Sequence, residues 1–190
     1  IFFANAELNY AVTSTGPGHA TLATGVYPWK SGIVSNRWKD RNTNRSVYCV
    51  DDSIAMPVDG EGGGMSPKNL MVTAVGDWLQ EASPKSKVVS ISYKDRAAIL
   101  MGGKKPTYAF WYDRVSGHMV TSSYYAPALP EWAKEFNASR WIERNVPPAW
   151  TKLKADSVYS AYGPDELAGE APWNGKTVFL NADVLAGPGK

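Results

Sequence analysis

Thr13-Ser14-Thr15-Gly16-Pro17-Gly18-His19-Ala20 sets a hydroxyl residue directly before a Gly-Pro-Gly turn, and the run Ala20-Thr21-Leu22-Ala23-Thr24 follows at once. Residues 1–12 in front of it alternate loosely between apolar and polar side chains and read as an extended strand. Thr15 therefore stands where a strand ends and a helix begins. The first N–H groups of such a helix lack intrahelical partners and, together with the helix dipole, form a small anion site. A hydroxyl placed there is positioned to attack a bound anion. The other reading of Thr15 is a simple helix cap, a position where Ser and Thr are preferred. The motif alone leaves both readings open.

Length and composition narrow the classes. The 190 residues fit one domain or a piece of a larger protein. A chain this long buries roughly 70% of its unfolded surface, so its core needs neither disulfides nor metals. Hydrophobic residues at 44% and charged residues at 20% are the proportions of a globular protein. Eight Trp and ten Tyr are many for this length, and aromatics line substrate clefts as well as cores. A net charge of +2, without a run of five basic residues, argues against nucleic acid as a partner. Lys and Arg are densest over residues 85–105, which favours a small anionic ligand. The single cysteine, Cys49, excludes an internal disulfide framework. No apolar run approaches the ~18 residues that span a membrane. The chain opens at Ile1 in strand-like sequence with no signal peptide visible, and the expectation is a fragment cut at both ends.

Along the chain, a helix of about two turns after Thr15 is expected to end at Gly25. Residues 26–33 carry Pro and Gly at loop spacing and are expected to form no continuous element, and residues 35–40, with Asn36, read as a turn. Residues 51–67, with Gly60, Gly62, Gly63 and Gly64, read as a flexible loop. Ser66 and Pro67 look like the cap and first position of a helix running to Ala82. Residues 87–92 have the β-branched pattern of a buried parallel strand, and helix followed by strand is half of a βαβ unit. Lys94-Asp95-Arg96 comes next, then a short helix at residues 97–100 stopped by Gly102 and Gly103. Residues 107–112 read as a strand, residues 118–125 as its hairpin partner, and residues 129–136 as a helix begun by Pro130. Beyond Asn137 the periodicity is weak.

Ligands of open α/β sheets gather beyond the carboxyl ends of strands. If the strands before Thr15 and before Lys94 lie close, a hydroxyl, an ammonium and a guanidinium converge on one crevice. Arg presents a planar fork to phosphate oxygens and Lys a mobile point charge. Lys94 and Arg96 also read as solvated charges beside Asp95, and Asn36 as an Asx-turn residue in place of an anion donor. Two histidines, His19 and His118, with no Asp-His pair, cannot build a zinc pair by themselves, and His19 is expected to tie down the turn. Neither a Gly-x-Ser-x-Gly elbow nor a Gly-x-x-x-x-Gly-Lys loop is present.

Thr15-Gly16-Pro17-Gly18-His19-Ala20-Thr21, Thr24-Gly25-Val26-Tyr27-Pro28 and Gly32-Ile33-Val34-Ser35-Asn36 resemble the nucleophile region of the alkaline phosphatase superfamily, in the single-threonine branch shared with type I phosphodiesterases and nucleotide pyrophosphatases. Ser66-Pro67-Lys68-Asn69-Leu70 and residues 90–100 sharpen the likeness to PafA-like alkaline phosphatases, and it continues through Trp111-Tyr112-Asp113 and residues 121–125 to residues 129–132. The resemblance implies an α/β fold: part of an alkaline-phosphatase-like sheet flanked by helices, with an inserted hairpin and loop region. Residues 1–190 would be the nucleophile half of a catalytic domain, with residues 138–190 the least assigned. It implies Thr15 as nucleophile and zinc ligand, Thr15 and Gly16 at the bound phosphate, and Asn36 holding a phosphoryl oxygen. Lys94 and Arg96 match the pair that selects phosphate monoesters over diesters. Two zinc ions, small phosphorylated substrates and a periplasmic or secreted location complete the expectation. The other metal ligands of that family fall outside this chain, which is therefore expected to retain little zinc. The rival readings are a phosphodiesterase or sulfatase relative and a non-catalytic anion-binding module.

Overall fold

A computed structural model of the chain describes residues 4–5, 7–145 and 152–163. Expectations for residues 1–3, 6, 146–151 and 164–190 lie outside the described residues. Residues 7–12 form no strand: they pair with no neighbour among the described residues, and Leu8 and Val12 are exposed. Alternation alone does not hold an extended segment whose backbone groups find no ladder.

Helix α1 (Thr15–Thr24) begins at Thr15, with Ser14 in extended conformation before it, and ends where expected. Gly25 takes the left-handed conformation (φ 68°), and its N–H closes the last turn on the Thr21 carbonyl at 2.9 Å. The interrupted stretch after it contains one short element, α2 (Pro28–Ser31), because Pro28 sits where a helix needs no N–H and Gly32 supplies the left-handed stop. The polar segment around Asn36 leads into a hairpin rather than a free turn. Strand β1 (Arg37–Lys39) pairs antiparallel with β2 (Ser46–Tyr48), Arg37 opposite Tyr48. Asp40 builds the connection by accepting the N–H groups of Thr43 and Asn42 at 2.7 and 3.0 Å.

The glycine-rich loop is tied down rather than free. Asp52 accepts the Ser66 hydroxyl at 2.7 Å and the Ile54 N–H at 3.1 Å, and its own N–H reaches the Gly64 carbonyl. A Cβ at Gly64 would lie 1.7 Å from the Ala55 carbonyl oxygen, so the loop closes only over a glycine. Strand β3 (Pro57–Val58) joins this loop to the main sheet. Ser66 thus serves Asp52 and the Lys68 N–H, not a helix. The helix expected from Ser66 starts later, as α3 (Val75–Ala82). Asp77 fixes that start by accepting the Ala74 N–H, and from the far side it accepts the Lys104 and Lys105 N–H groups as well.

Strand β4 (Val89–Ser92), helix α4 (Asp95–Gly102) and strand β5 (Tyr108–Tyr112) form a complete βαβ unit, β4 and β5 running parallel with Ile91 opposite Phe110. Strand β6 (Met119–Ser122) returns antiparallel, giving the sheet order β3-β6-β5-β4. One correction concerns β4: Val89 and Ile91 are both exposed, and its serines take the positions facing α4. Helix α5 (Glu131–Ala138) starts after Pro130 as expected and covers Phe110 on the opposite face with Leu129 and Ala133. Helices α6 (Trp141–Asn145) and α7 (Asp156–Tyr159) follow at the periphery.

The main core lies between the sheet and the helical layer. Ile33, Val50, Leu70, Ile99 and Leu100 are fully enclosed there, with Trp111 and Val120 from the strands. Helix α1 packs on α4, and the small residues Ala20 and Ala98 share the contact region. Leu100→Ala removes its three outer side-chain carbons from a sealed site and should lower stability by roughly 2–5 kcal/mol, read from chemical denaturation.

Candidate active site

Thr15 is the first residue of α1, so the choice between cap and free hydroxyl is open to inspection. The preceding residue, Ser14, holds the cap position, and neither side chain makes a capping bond. Among the described residues the Thr15 hydroxyl has no hydrogen-bond partner. The helix end itself is less generous to an anion than its sequence implies. Gly16 donates its N–H to Asn36 Oδ1 at 2.6 Å, Pro17 has none to give, and the Gly18 N–H closes on the Ser14 carbonyl at 3.0 Å. The N–H of Thr15 is left without a partner among these residues. Gly16 therefore meets Asn36 rather than presenting its own N–H outward. Its lack of a side chain permits this: a Cβ there would come within 3.0 Å of Asn36 Oδ1 and 3.2 Å of Cys49 Sγ.

Asn36 consequently has a fixed amide. Its oxygen is occupied by Gly16, and among the described residues its Nδ2 donors bond nothing. Sequence spacing offered Asn36 either as an Asx-turn or as an anion donor, and the bond across 20 residues to Gly16 is not an Asx-turn. His19 Nδ1 lies 2.8 Å from the Thr15 carbonyl. A carbonyl only accepts, so Nδ1 carries the proton and the ring braces the first turn.

Lys94 and Arg96 follow β4 at the start of α4, as the sequence placed them. Lys94 is exposed and caps the helix with extended backbone; Arg96 is half-buried. Two residues that sequence reasoning passed over join this pair to Thr15 and Asn36. Cys49 donates its N–H to the Asn36 carbonyl at 3.0 Å and packs its sulfur under Gly16. Tyr48 donates its hydroxyl to Asp95 Oδ1 at 2.6 Å and accepts Arg96 Nη1 at 2.8 Å. Asn69 locks both by donating Nδ2 to the Tyr48 and Cys49 carbonyls at 3.3 and 3.2 Å. The only sequence signal for this clamp was the apolar run at residues 48–50 between polar stretches.

Burial shapes the titration of the clamp. Tyr48 is pushed well above the ordinary phenol range by burial, then by the bond to Asp95 and its charge, with Arg96 opposing. It stays a phenol. Burial drives the Cys49 thiol up to about 12, the Asp95 charge adding to the rise and Arg96 opposing it. For Arg96 burial works against the charge, but the Tyr48 hydroxyl and Asp95 outweigh it and the guanidinium is held more firmly protonated. Lys94, Asp95 and Arg96 face a cavity of about 270 Å³ that Tyr93, Tyr112 and Arg114 also line; Thr15 and Asn36 stand outside its wall.

No group of three His, Cys, Asp or Glu side chains comes together among the described residues, and the His19 nitrogen on this side already bonds the Thr15 carbonyl. These residues do not fit a zinc pair by themselves.

A hydroxyl at a helix start, an amide bonded beside it and a basic pair beyond a parallel strand are linked through Cys49 and Tyr48 on one α/β scaffold. Residues 3–177 match the type I phosphodiesterase / nucleotide pyrophosphatase family, and the chain belongs to it. Within that family its relatives include alkaline phosphatases. It is 38% identical over 174 residues to alkaline phosphatase PhoV of Synechococcus elongatus, covering 90% of this chain and 32% of that protein. It is 38% identical over 170 residues to alkaline phosphatase PafA of Elizabethkingia meningoseptica, covering 87% of this chain and 31% of the other. A crystal structure of a PafA variant superposes with a TM-score of 0.87 at 34% identity, over 95% of this chain and 36% of that one. The resemblance to PafA-like alkaline phosphatases and the α/β fold it implied are thus both found. The chain spans about a third of the length of the relatives it matches.

Because the Cys49 thiol holds its proton up to about 12 in the folded chain but ordinarily loses it near 9.0, folding stability should be undiminished below pH 9 and fall between pH 9 and 12. At pH 8 an alkylating reagent should leave Cys49 unmodified in the native protein and modify it once denatured, as read by mass spectrometry.

Proposed function

We propose that this chain carries the nucleophile and the phosphate contacts of a phosphate monoesterase, with Thr15 attacking phosphorus. The observation that carries the reading is the Gly16–Asn36 bond. It ties the Asn36 amide to the residue next to Thr15, whose hydroxyl has no bond among the described residues. The PafA variant supports it as well: its substitutions fall on one Thr, one Asn, one Lys and one Arg in that chain order. Its Thr and Asn are as far apart as Thr15 and Asn36, and its Lys and Arg are two positions apart like Lys94 and Arg96.

In this reading the Thr15 Oγ–P bond forms as the bond from phosphorus to the leaving oxygen breaks, and the threonine proton passes to solvent. Water then attacks the phosphothreonine and releases phosphate, restoring the hydroxyl. Charge on the equatorial oxygens is met by Asn36 Nδ2, the Thr15 N–H and the cations of Lys94 and Arg96. A monoester leaves two further anionic oxygens free for such a pair, whereas a diester has esterified one of them. Zinc, expected from the resemblance, would lower the pKa of the hydroxyl, with ligands the described residues do not supply. A periplasmic or secreted location belongs to the same proposal.

The test uses the longer protein that contains this chain. Thr15→Ala should abolish turnover of an aryl phosphate monoester, and Asn36→Ala should lower kcat by about 10²–10³. Lys94→Ala and Arg96→Ala should each depress monoester hydrolysis while sparing an aryl diester. Unchanged monoester rates in both would overturn the assignment of that pair.

A further inference from the structure

Arg96 is held in place before any anion arrives, and the side chain that holds it is Tyr48. Tyr48 is 6% exposed, the Arg37 guanidinium lies 4.6 Å from its ring centroid, and Asn69 donates to its carbonyl. Its hydroxyl lies between two charged groups. A carboxylate only accepts and a guanidinium only donates, which sets both directions: Tyr48 donates to Asp95 Oδ1 and accepts from Arg96 Nη1. Asp95 Oδ1 is saturated further by the backbone N–H of Arg96. Among the described residues no direct ion pair joins Asp95 to Arg96, although the two are adjacent in sequence. Arg96 Nε is buried and has no hydrogen-bond partner among them.

We propose that Tyr48 is a positioning residue, its hydroxyl acting as a spacer that keeps Arg96 off the Asp95 carboxylate and its remaining N–H groups available to an anionic substrate. The proposal rests on the reading of Arg96 as a phosphate contact. An arginine left to itself beside a carboxylate closes on it in a forked pair, which spends the N–H groups and neutralises the charge. With the hydroxyl interposed, Asp95 is satisfied by the phenol and a backbone N–H while the cation keeps its outer edge. Fixing the side chain in advance also removes the rotamer entropy that a ligand would otherwise have to freeze. Phenylalanine fills the same space but restores the direct carboxylate–guanidinium contact.

The experiment is a double-mutant cycle in the longer protein, with an aryl phosphate monoester and an aryl diester as substrates. Tyr48→Phe should lower monoester kcat/KM by about tenfold or more, the loss expected for one bond to a charged group. Diester hydrolysis should change little, inhibition by inorganic phosphate should weaken in step, and the effect should vanish in the Arg96→Ala background. Should Arg96→Ala alone leave monoester hydrolysis unchanged, the reading of Arg96 falls and this inference with it. Should Arg96→Ala be costly while Tyr48→Phe has no effect, costs the same in both backgrounds, or harms monoester and diester alike, the spacer is overturned and the reading of Arg96 stands. If Tyr48→Phe does not fold, Asp95→Ala enters the same cycle, and additivity with Arg96→Ala overturns the spacer.

Discussion

The close approach of residue 16 to Asn36 and Cys49 is the constraint on which the site depends. The 2.6 Å bond from Gly16 to Asn36 exists only because no side chain stands between helix α1 and the start of the β1–β2 hairpin. Once made, it fixes the Asn36 amide, uses one of the donors of the helix start, and brings Cys49 beneath the turn. Cys49 and Tyr48 then carry the connection on to Arg96. A site assembled from a helix start, a hairpin edge and a βα junction is in this way held by one glycine at the centre and one dipeptide at the end of β2.

Electrostatics here work through side chains more than through the helix dipole. The Gly-Pro-Gly sequence suggested a cradle of backbone N–H groups, yet Asn36, proline and Ser14 leave Thr15's own N–H as the remaining donor. Among the described residues the held cation is Arg96, bonded through Nη1 to the Tyr48 hydroxyl, while Lys94 is exposed.

Much of this was legible in the residues, and the misses share a cause. Gly25, Gly103 and Pro130 announced their helix ends because each acts through its own backbone, a local property. The order β4-α4-β5 with Lys94 and Arg96 at its junction was readable from β-branched and apolar patterning. Ser66 misled because a serine before a proline has the chemistry of a cap, while its hydroxyl is claimed by Asp52, 14 residues away in sequence. Residues 51–67 looked loose for their glycines, yet Gly64 allows the crossing that fastens the loop. The strand expected ahead of Thr15 failed on the same ground, since alternation does not reveal whether a partner is there. Tyr48 and Asn69 were silent for this reason also: their roles lie in contacts 20 or more residues distant.

Strand β4 has a consequence for anyone handling the chain by itself. Its outer edge pairs with nothing among the described residues, and Val89 and Ile91 stand open on one face. A row of unanswered backbone donors and acceptors with β-branched side chains above it is a template for another strand.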